Sequence, residues 1–171
     1  MNSFVIANSS RCIGCRTCMI ACVVAHEGKR IFEIDPDGYA FNPRLFMVKT
    51  VKLSAPVQCR HCENAACKQA CTSGAINIGN GTVSINSKRC IGCKNCVVAC
   101  PFGAIEIIKT VEINKDGYPR KIASKCDLCQ GVAESPQCIR VCPTEALSLV
   151  TEDILIGNLR QKRIDSLNAW L

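Results

Sequence analysis

Sixteen cysteines fall into four sets of four along the chain, with none left over. The first set is Cys12, Cys15, Cys18 and Cys22, and the second is Cys59, Cys62, Cys67 and Cys71. The third is Cys90, Cys93, Cys96 and Cys100, and the fourth is Cys126, Cys129, Cys138 and Cys142. Thiols in such density serve disulfides, zinc or iron–sulfur clusters. The first and third sets read C-x2-C-x2-C-x3-C. Three cysteines at that spacing can curl around a cubane and reach three of its irons. The fourth is expected at the start of a helical turn, pointing away to a second cluster. Four-thiolate zinc sites would instead pair two C-x2-C knuckles about 12 to 20 residues apart. A disulfide framework belongs to short secreted chains, and "MNSFVIANSSRC" lacks the basic and apolar regions of a signal peptide.

The second and fourth sets are the same motif with one gap lengthened, at Glu63–Ala66 and at Gln130–Gln137. Pro101 and Pro143 follow the last cysteines of the third and fourth sets, where a proline ends the local turn. The wider composition agrees with cofactors filling the interior. The 171 residues include five Phe, two Tyr and one Trp, too few rings for an ordinary core of this length. The formal charge is +7, but each cubane with four thiolates carries about −2 when oxidised, so four contribute about −8. The basic excess therefore reads as counter-charge to clusters. No Arg/Lys run is interleaved with aromatics, so a nucleic-acid role is not expected. No apolar stretch approaches the roughly 20 residues of a membrane span, and a cytoplasmic location is the expectation.

The elements around the cysteines repeat. "SGAINI" follows Cys71, "PFGAIEI" follows Cys100 and "PTEALSL" follows Cys142. Each is a turn, an alanine and then alternating apolar residues, the pattern of a half-buried strand. Asn80-Gly81 predicts a hairpin over Ile76–Ile85, and Asp116-Gly117 predicts another within residues 109 to 125. Between the first two sets, "KRIFEI" and "RLFMVKTVKLS" read as strands around a turn at "DPDG". The tail is expected to be helical from about Glu152, capped by Thr151. Ile156, Leu159, Leu167 and Trp170 could share a face there, interrupted by Arg163, serving either its own domain or a partner. The predicted class is α+β: tandem bacterial-ferredoxin-like repeats over 1–150 and a C-terminal helix over 151–171. Ile13 and Ile91, each one residue after the first cysteine of a set, are expected to cover cluster faces. His61 is expected to tune charge beside its cysteines, and His26 to be exposed. There is no nucleotide fingerprint and no nucleophile–base pair, so no catalytic site is expected.

Four stretches, "FVIANSSRCIGCRTCMIAC", "CRHCENAAC", "RCIGCKNCVVACPFGAI" and "KCDLCQ…CIRVCPTEAL", together resemble the four-cluster iron–sulfur subunits of dimethyl-sulfoxide-reductase-type oxidoreductases. Within that group the chain is similar to the short subunits that accompany formate dehydrogenases and hydrogenases. The likeness covers about residues 1 to 150 and departs at Thr72, where the family usually has proline, so a less constrained turn is expected there. It implies pseudo-twofold symmetry in which the first set pairs with the fourth and the second with the third. One [4Fe–4S] cluster would then be held by Cys12, Cys15, Cys18 and Cys142, and its neighbour by Cys126, Cys129, Cys138 and Cys22. A third would have Cys59, Cys62, Cys67 and Cys100, and the fourth Cys90, Cys93, Cys96 and Cys71. Simple tandem domains would instead pair first with second and third with fourth, and spacing alone does not separate the two. The resemblance further implies a relay of electrons between a molybdenum or tungsten formate dehydrogenase and a hydrogenase. A second polyferredoxin subunit, or self-assembly through the tail helix, is a further implied contact. A free carrier serving several enzymes and a redox sensor are the alternatives.

Overall fold

The computed structural model describes residues 1–28, 32 and 41–168. In chain order it contains β1 (Phe4–Ala7), α1 (Thr17–Glu27), β2 (Leu45–Lys49), β3 (Ser54–Gln58), α2 (Ala66–Gln69), β4 (Ile76–Gly79), β5 (Thr82–Ile85), α3 (Asn95–Ala99), β6 (Glu106–Ile113), β7 (Pro119–Ser124), α4 (Gln137–Arg140), β8 (Leu147–Val150) and α5 (Glu152–Asn168). The strands form antiparallel pairs, β1 with β8, β2 with β3, β4 with β5 and β6 with β7. Helix α1 packs on α4, and α2 on α3.

Three of the predicted strands follow their cysteine sets as β4, β6 and β8. The two Gly-tipped hairpins form as expected. Asn80 and Gly81 take φ 50° and 69°, the double left-handed turn that joins twisted strands in two residues. The segment before the second set differs. "RLFMVKTVKLS" does not run as one strand. Leu45–Lys49 folds back on Ser54–Gln58, with Leu45 opposite Gln58. The reason is Thr50, whose Oγ1 accepts from the N–H groups of Lys52 and Leu53 while its own N–H donates to Leu53 O at 2.8 Å. Most of "KRIFEI" and all of "DPDG" lie outside the described residues. The N-terminal strand was not read from the sequence at all. It registers Phe4 on Val150 and Ala7 on Leu147, tying the start of the described chain to the strand after the fourth set.

Each set supplies one helix, and the third cysteine lies at its start: Cys18 in α1, Cys67 in α2, Cys96 in α3 and Cys138 in α4. The fourth cysteine thus comes at or beyond the helix end, except for Cys22 inside α1, and not at the start of a turn as the spacing suggested. The interior is made of small residues. Val5, Leu45 and Leu147 pack with Cys18, Cys22 and Cys138. Ile76, Val83 and Ile105 pack with alanines and with Cys90 and Cys96. Cys59, Ala104 and Cys126 form a third group between these two sets of neighbours.

Helix α5 is a different kind of element. Thr151 caps it as expected, with Ile154 N–H on Oγ1 at 3.4 Å. Its first turn carries Glu152 and Asp153, which suit the positive end of the helix dipole. None of its residues is buried, and Ile156, Leu159 and Leu167 are all exposed. Trp170 lies outside the described residues.

Candidate metal centres

One backbone conformation recurs in every cysteine set. The residue two after the first cysteine is left-handed each time: Gly14 at φ 70°, His61 at 47°, Gly92 at 67° and Leu128 at 59°. This turns the loop so that the first two cysteines face one interior space. Glycine takes the conformation freely, whereas His61 and Leu128 adopt it under strain held by surrounding structure. At Gly92 a second constraint acts, since a Cβ there would stand 2.6 Å from Lys121 O. In the second and fourth sets the turn aims an N–H at sulfur. His61 N donates to Cys59 Sγ and Leu128 N to Cys126 Sγ, both at 3.4 Å.

A second turn recurs after the last cysteine. Gly74, Gly103 and Glu145 are left-handed, and their N–H groups return to the carbonyls of Cys71, Cys100 and Cys142 at 3.1, 3.3 and 3.1 Å. Thr72 therefore stands in the same hydrogen-bonded turn as Pro101 and Pro143. The next N–H reaches the thiol: Ala75 to Cys71 Sγ at 3.3 Å and Ala146 to Cys142 Sγ at 3.2 Å. Both alanines are buried, at 1% and 2% exposure.

The folded chain brings the fourth cysteine of one set to the first three of another. Cys12, Cys15, Cys18 and Cys142 line one small void, together with Ile13, Met47 and Leu147. Cys90, Cys93, Cys96 and Cys71 line a second, together with Ile76, Ile91 and Ile107. Cys22 stands within charge–charge range of Cys126, Cys129 and Cys138. Cys100 does so with Cys62 and Cys67, which also feel Cys59. Ile13 and Ile91 line their voids as expected, yet their outer faces are open, at 66% and 68% exposure.

The donors fit an iron–sulfur cubane. Burial pushes the Cys126 thiol up to about 12 and Cys18 and Cys67 to about 11, and it raises Cys138 also. Such crowded thiols release protons only to a metal. At Cys71 and Cys142 burial acts the same way but is outweighed. Ser73 and Thr144 hydroxyls, with backbone N–H groups, hold both thiols below the usual range. Among the described residues no three Cys, His, Asp or Glu side chains converge on one ion. A cubane asks for another arrangement, four thiolates standing apart around a void and each reaching its own iron. When bound, such clusters supply one-electron redox chemistry.

His26 is not exposed as expected. Its side chain is 9% accessible, with Nδ1 2.7 Å from Cys22 O and Nε2 3.0 Å from Asp127 Oδ1. Burial favours its neutral form, but Asp127 and Cys22 outweigh that and lift it to about 9. Arg44 pairs with the other oxygen of Asp127, and its N–H donates to Cys22 Sγ at 3.4 Å. Asp127 in turn accepts from Cys129 N–H at 3.0 Å. Arg44 and Asp127 thus brace the Cys22 side of one centre. The sequence reading missed both, although Asp127 sits directly beside a ligand-spaced cysteine.

Thiol-lined voids at ferredoxin spacing define an iron–sulfur protein, and the sixteen cysteines provide for four clusters. The model of the 4Fe-4S dicluster domain matches residues 50–152, and the chain belongs to that family. It is 42% identical over 170 residues to the electron transport protein HydN of Escherichia coli K12, covering 95% of this chain and 96% of that one. It is 38% identical to formate hydrogenlyase subunit 2 and 36% identical to hydrogenase-4 component A of the same organism, each covering 95% of this chain and 89% of the relative. It also spans 24% of the length of the E. coli protein AegA, at 41% identity.

Proposed function

We propose that the chain is an electron conduit in which four [4Fe–4S] clusters pass single electrons from one outer site to the other. The observation that carries this is the contiguity of the thiol sets. Cys18 and Cys22 lie on one helix and face two of the sites. Cys59 and Cys126 pack together through Ala104 at the middle. Helices α2 and α3 join the remaining two sites. The recurring turns and the α1–α4 and α2–α3 packing support two ferredoxin-like halves over 1–150 related by a pseudo-twofold, with the first set paired to the fourth and the second to the third. The outer sites are the ones nearest solvent: Cys15 and Cys93 are the exposed cysteines among the sixteen, each beside an open isoleucine.

The partners we propose are a formate dehydrogenase-type molybdenum or tungsten subunit and a hydrogenase, in keeping with the names of the relatives. No described helix is long and apolar enough to cross a membrane, and sixteen free thiols destined for iron suit a reducing cytoplasm. Anaerobic native purification with metal analysis tests the reading. A fixed complex holding about 16 Fe on this chain, with Mo or W and a hydrogenase, is expected. A lone iron-loaded monomer would instead indicate a diffusing carrier, and zinc in place of iron would overturn the assignment.

Helix α5 is the proposed assembly element, for a second polyferredoxin subunit or a further copy of this chain. A 17-residue helix that buries nothing is marginal in water, where helical stability comes mostly from tertiary packing. Truncation after Val150 is expected to leave iron content unchanged and to reduce the mass of the native assembly. An assembly of unchanged mass would remove α5 from the interface.

A further inference from the structure

Where the two inner sets meet, the chain buries a lysine. Lys125 is 3% exposed, and its Nζ donates to Val83 O and, at 3.0 Å, to Cys126 O. Among the described residues no carboxylate pairs with it. Stripping an ammonium of water is costly, and two carbonyls do not neutralise it. A buried cation so placed has its anion elsewhere.

His61 holds the same residue, Val83, from the other side. Its Nδ1 accepts the Val83 N–H at 3.0 Å, and its Nε2, buried, has no partner among the described residues. An accepting Nδ1 leaves the proton on Nε2, so the ring is neutral. The junction therefore carries one cation and not two.

That cation faces thiols of both inner sites. Cys126 is its sequence neighbour. Cys62 and Cys67 lie within charge–charge range of Lys125. The residue before the first cysteine differs between inner and outer sites. Arg11 and Arg89 occupy it at the outer sites and are exposed, so water and salt screen them. Gln58 and Lys125 occupy it at the inner sites, and both are 3% exposed. Of these four side chains, Lys125 alone is both charged and buried.

We propose that Lys125 is a fixed counter-cation shared by the two inner clusters, raising the midpoint potentials of that pair relative to the outer one. This rests on the four-cluster reading above. A buried positive charge stabilises the electron added on reduction, so an electron entering at either end meets inner sites that accept it more readily than they would without Lys125.

Potentiometry followed by electron paramagnetic resonance on the iron-loaded full chain tests it, with Lys125→Met, Lys125→Gln and Lys125→Arg. About 16 Fe in the unmodified chain upholds the four-cluster reading first, and a lower count fails that reading independently of Lys125. At fixed poise, the reduced-to-oxidised ratio of two clusters is expected to fall about tenfold in the Met and Gln variants, 59 mV for a one-electron couple. The other two clusters should not move, and the Arg variant should match the unmodified chain. No shift, an equal shift in all four clusters, or an Arg variant that behaves like Met would overturn the proposal. If the Met and Gln variants fail to load iron, the Arg variant decides. Full loading there means the charge is required, and failure there means that shape is what Lys125 supplies, which overturns the proposal.

Discussion

A chain in which Cys12, Cys15 and Cys18 are all replaced by alanine should carry about 12 Fe instead of about 16, and adding Cys142→Ala should remove no more. The result follows from the proposed cross-pairing. If Cys142 completes the cluster of the first set, its loss costs nothing once that cluster is gone. Adding Cys22→Ala to the same triple variant should take the count to about 8, because Cys22 then serves the neighbouring cluster of Cys126, Cys129 and Cys138. The tandem alternative makes an opposite forecast. There Cys142 would complete the third set, and the quadruple variant would lose a second cluster. The mirror experiment uses Cys90, Cys93 and Cys96 with Cys71. Iron and sulfide analysis of the anaerobically purified variants reads both. The expectation has a physical basis beyond the pairing of sets. Cys142 and Cys71 are the two thiols whose hydroxyl and N–H partners hold them below the usual range. Each therefore gives up its proton more readily than an ordinary thiol, and each closes a void otherwise lined by another set's cysteines.

How much of this was legible beforehand depended on whether the signal was local. The ligand-spaced cysteines, the strand after each of the last three sets and the Asn80-Gly81 turn are written within a few residues, and the structure forms them as read. The β2–β3 hairpin was misread because its turn is made by Thr50 Oγ1 and not by a Gly or Pro signal. Strand β1 was missed because four residues carry too little periodicity, and its partner, β8, comes from the far end of the chain. His26 looked exposed because it comes just after the first cysteine set. Its burial depends on Asp127 and Arg44, each brought to it by tertiary structure. Lys125 carried only a faint mark, a basic residue before a first cysteine, which it shares with Arg11 and Arg89. What separates it from them is burial, and burial is decided by packing.

Removing the iron should unfold the chain over residues 1–150. The buried apolar set holds twenty residues, and thirteen of them are cysteine or alanine, with no aromatic among the described residues. Cysteines arranged around voids do not close on one another, so without clusters the interior loses its contacts instead of collapsing. The remaining elements cannot compensate. Isolated two-stranded pairs are at best marginally stable in water, and helices of four or five residues such as α2, α3 and α4 lie far below the about 12 to 15 needed for even marginal helicity. Far-ultraviolet circular dichroism during anaerobic chelation should therefore lose its strand signal in step with iron, and the signal should return only with iron and sulfide together. Any helical signal left belongs to α5, which buries nothing and owes nothing to the clusters. The chain truncated after Val150 separates the two contributions: it should lose its ordered signal almost completely on chelation. An iron-free truncated chain that kept a cooperative thermal transition would show that the protein core suffices without its metal.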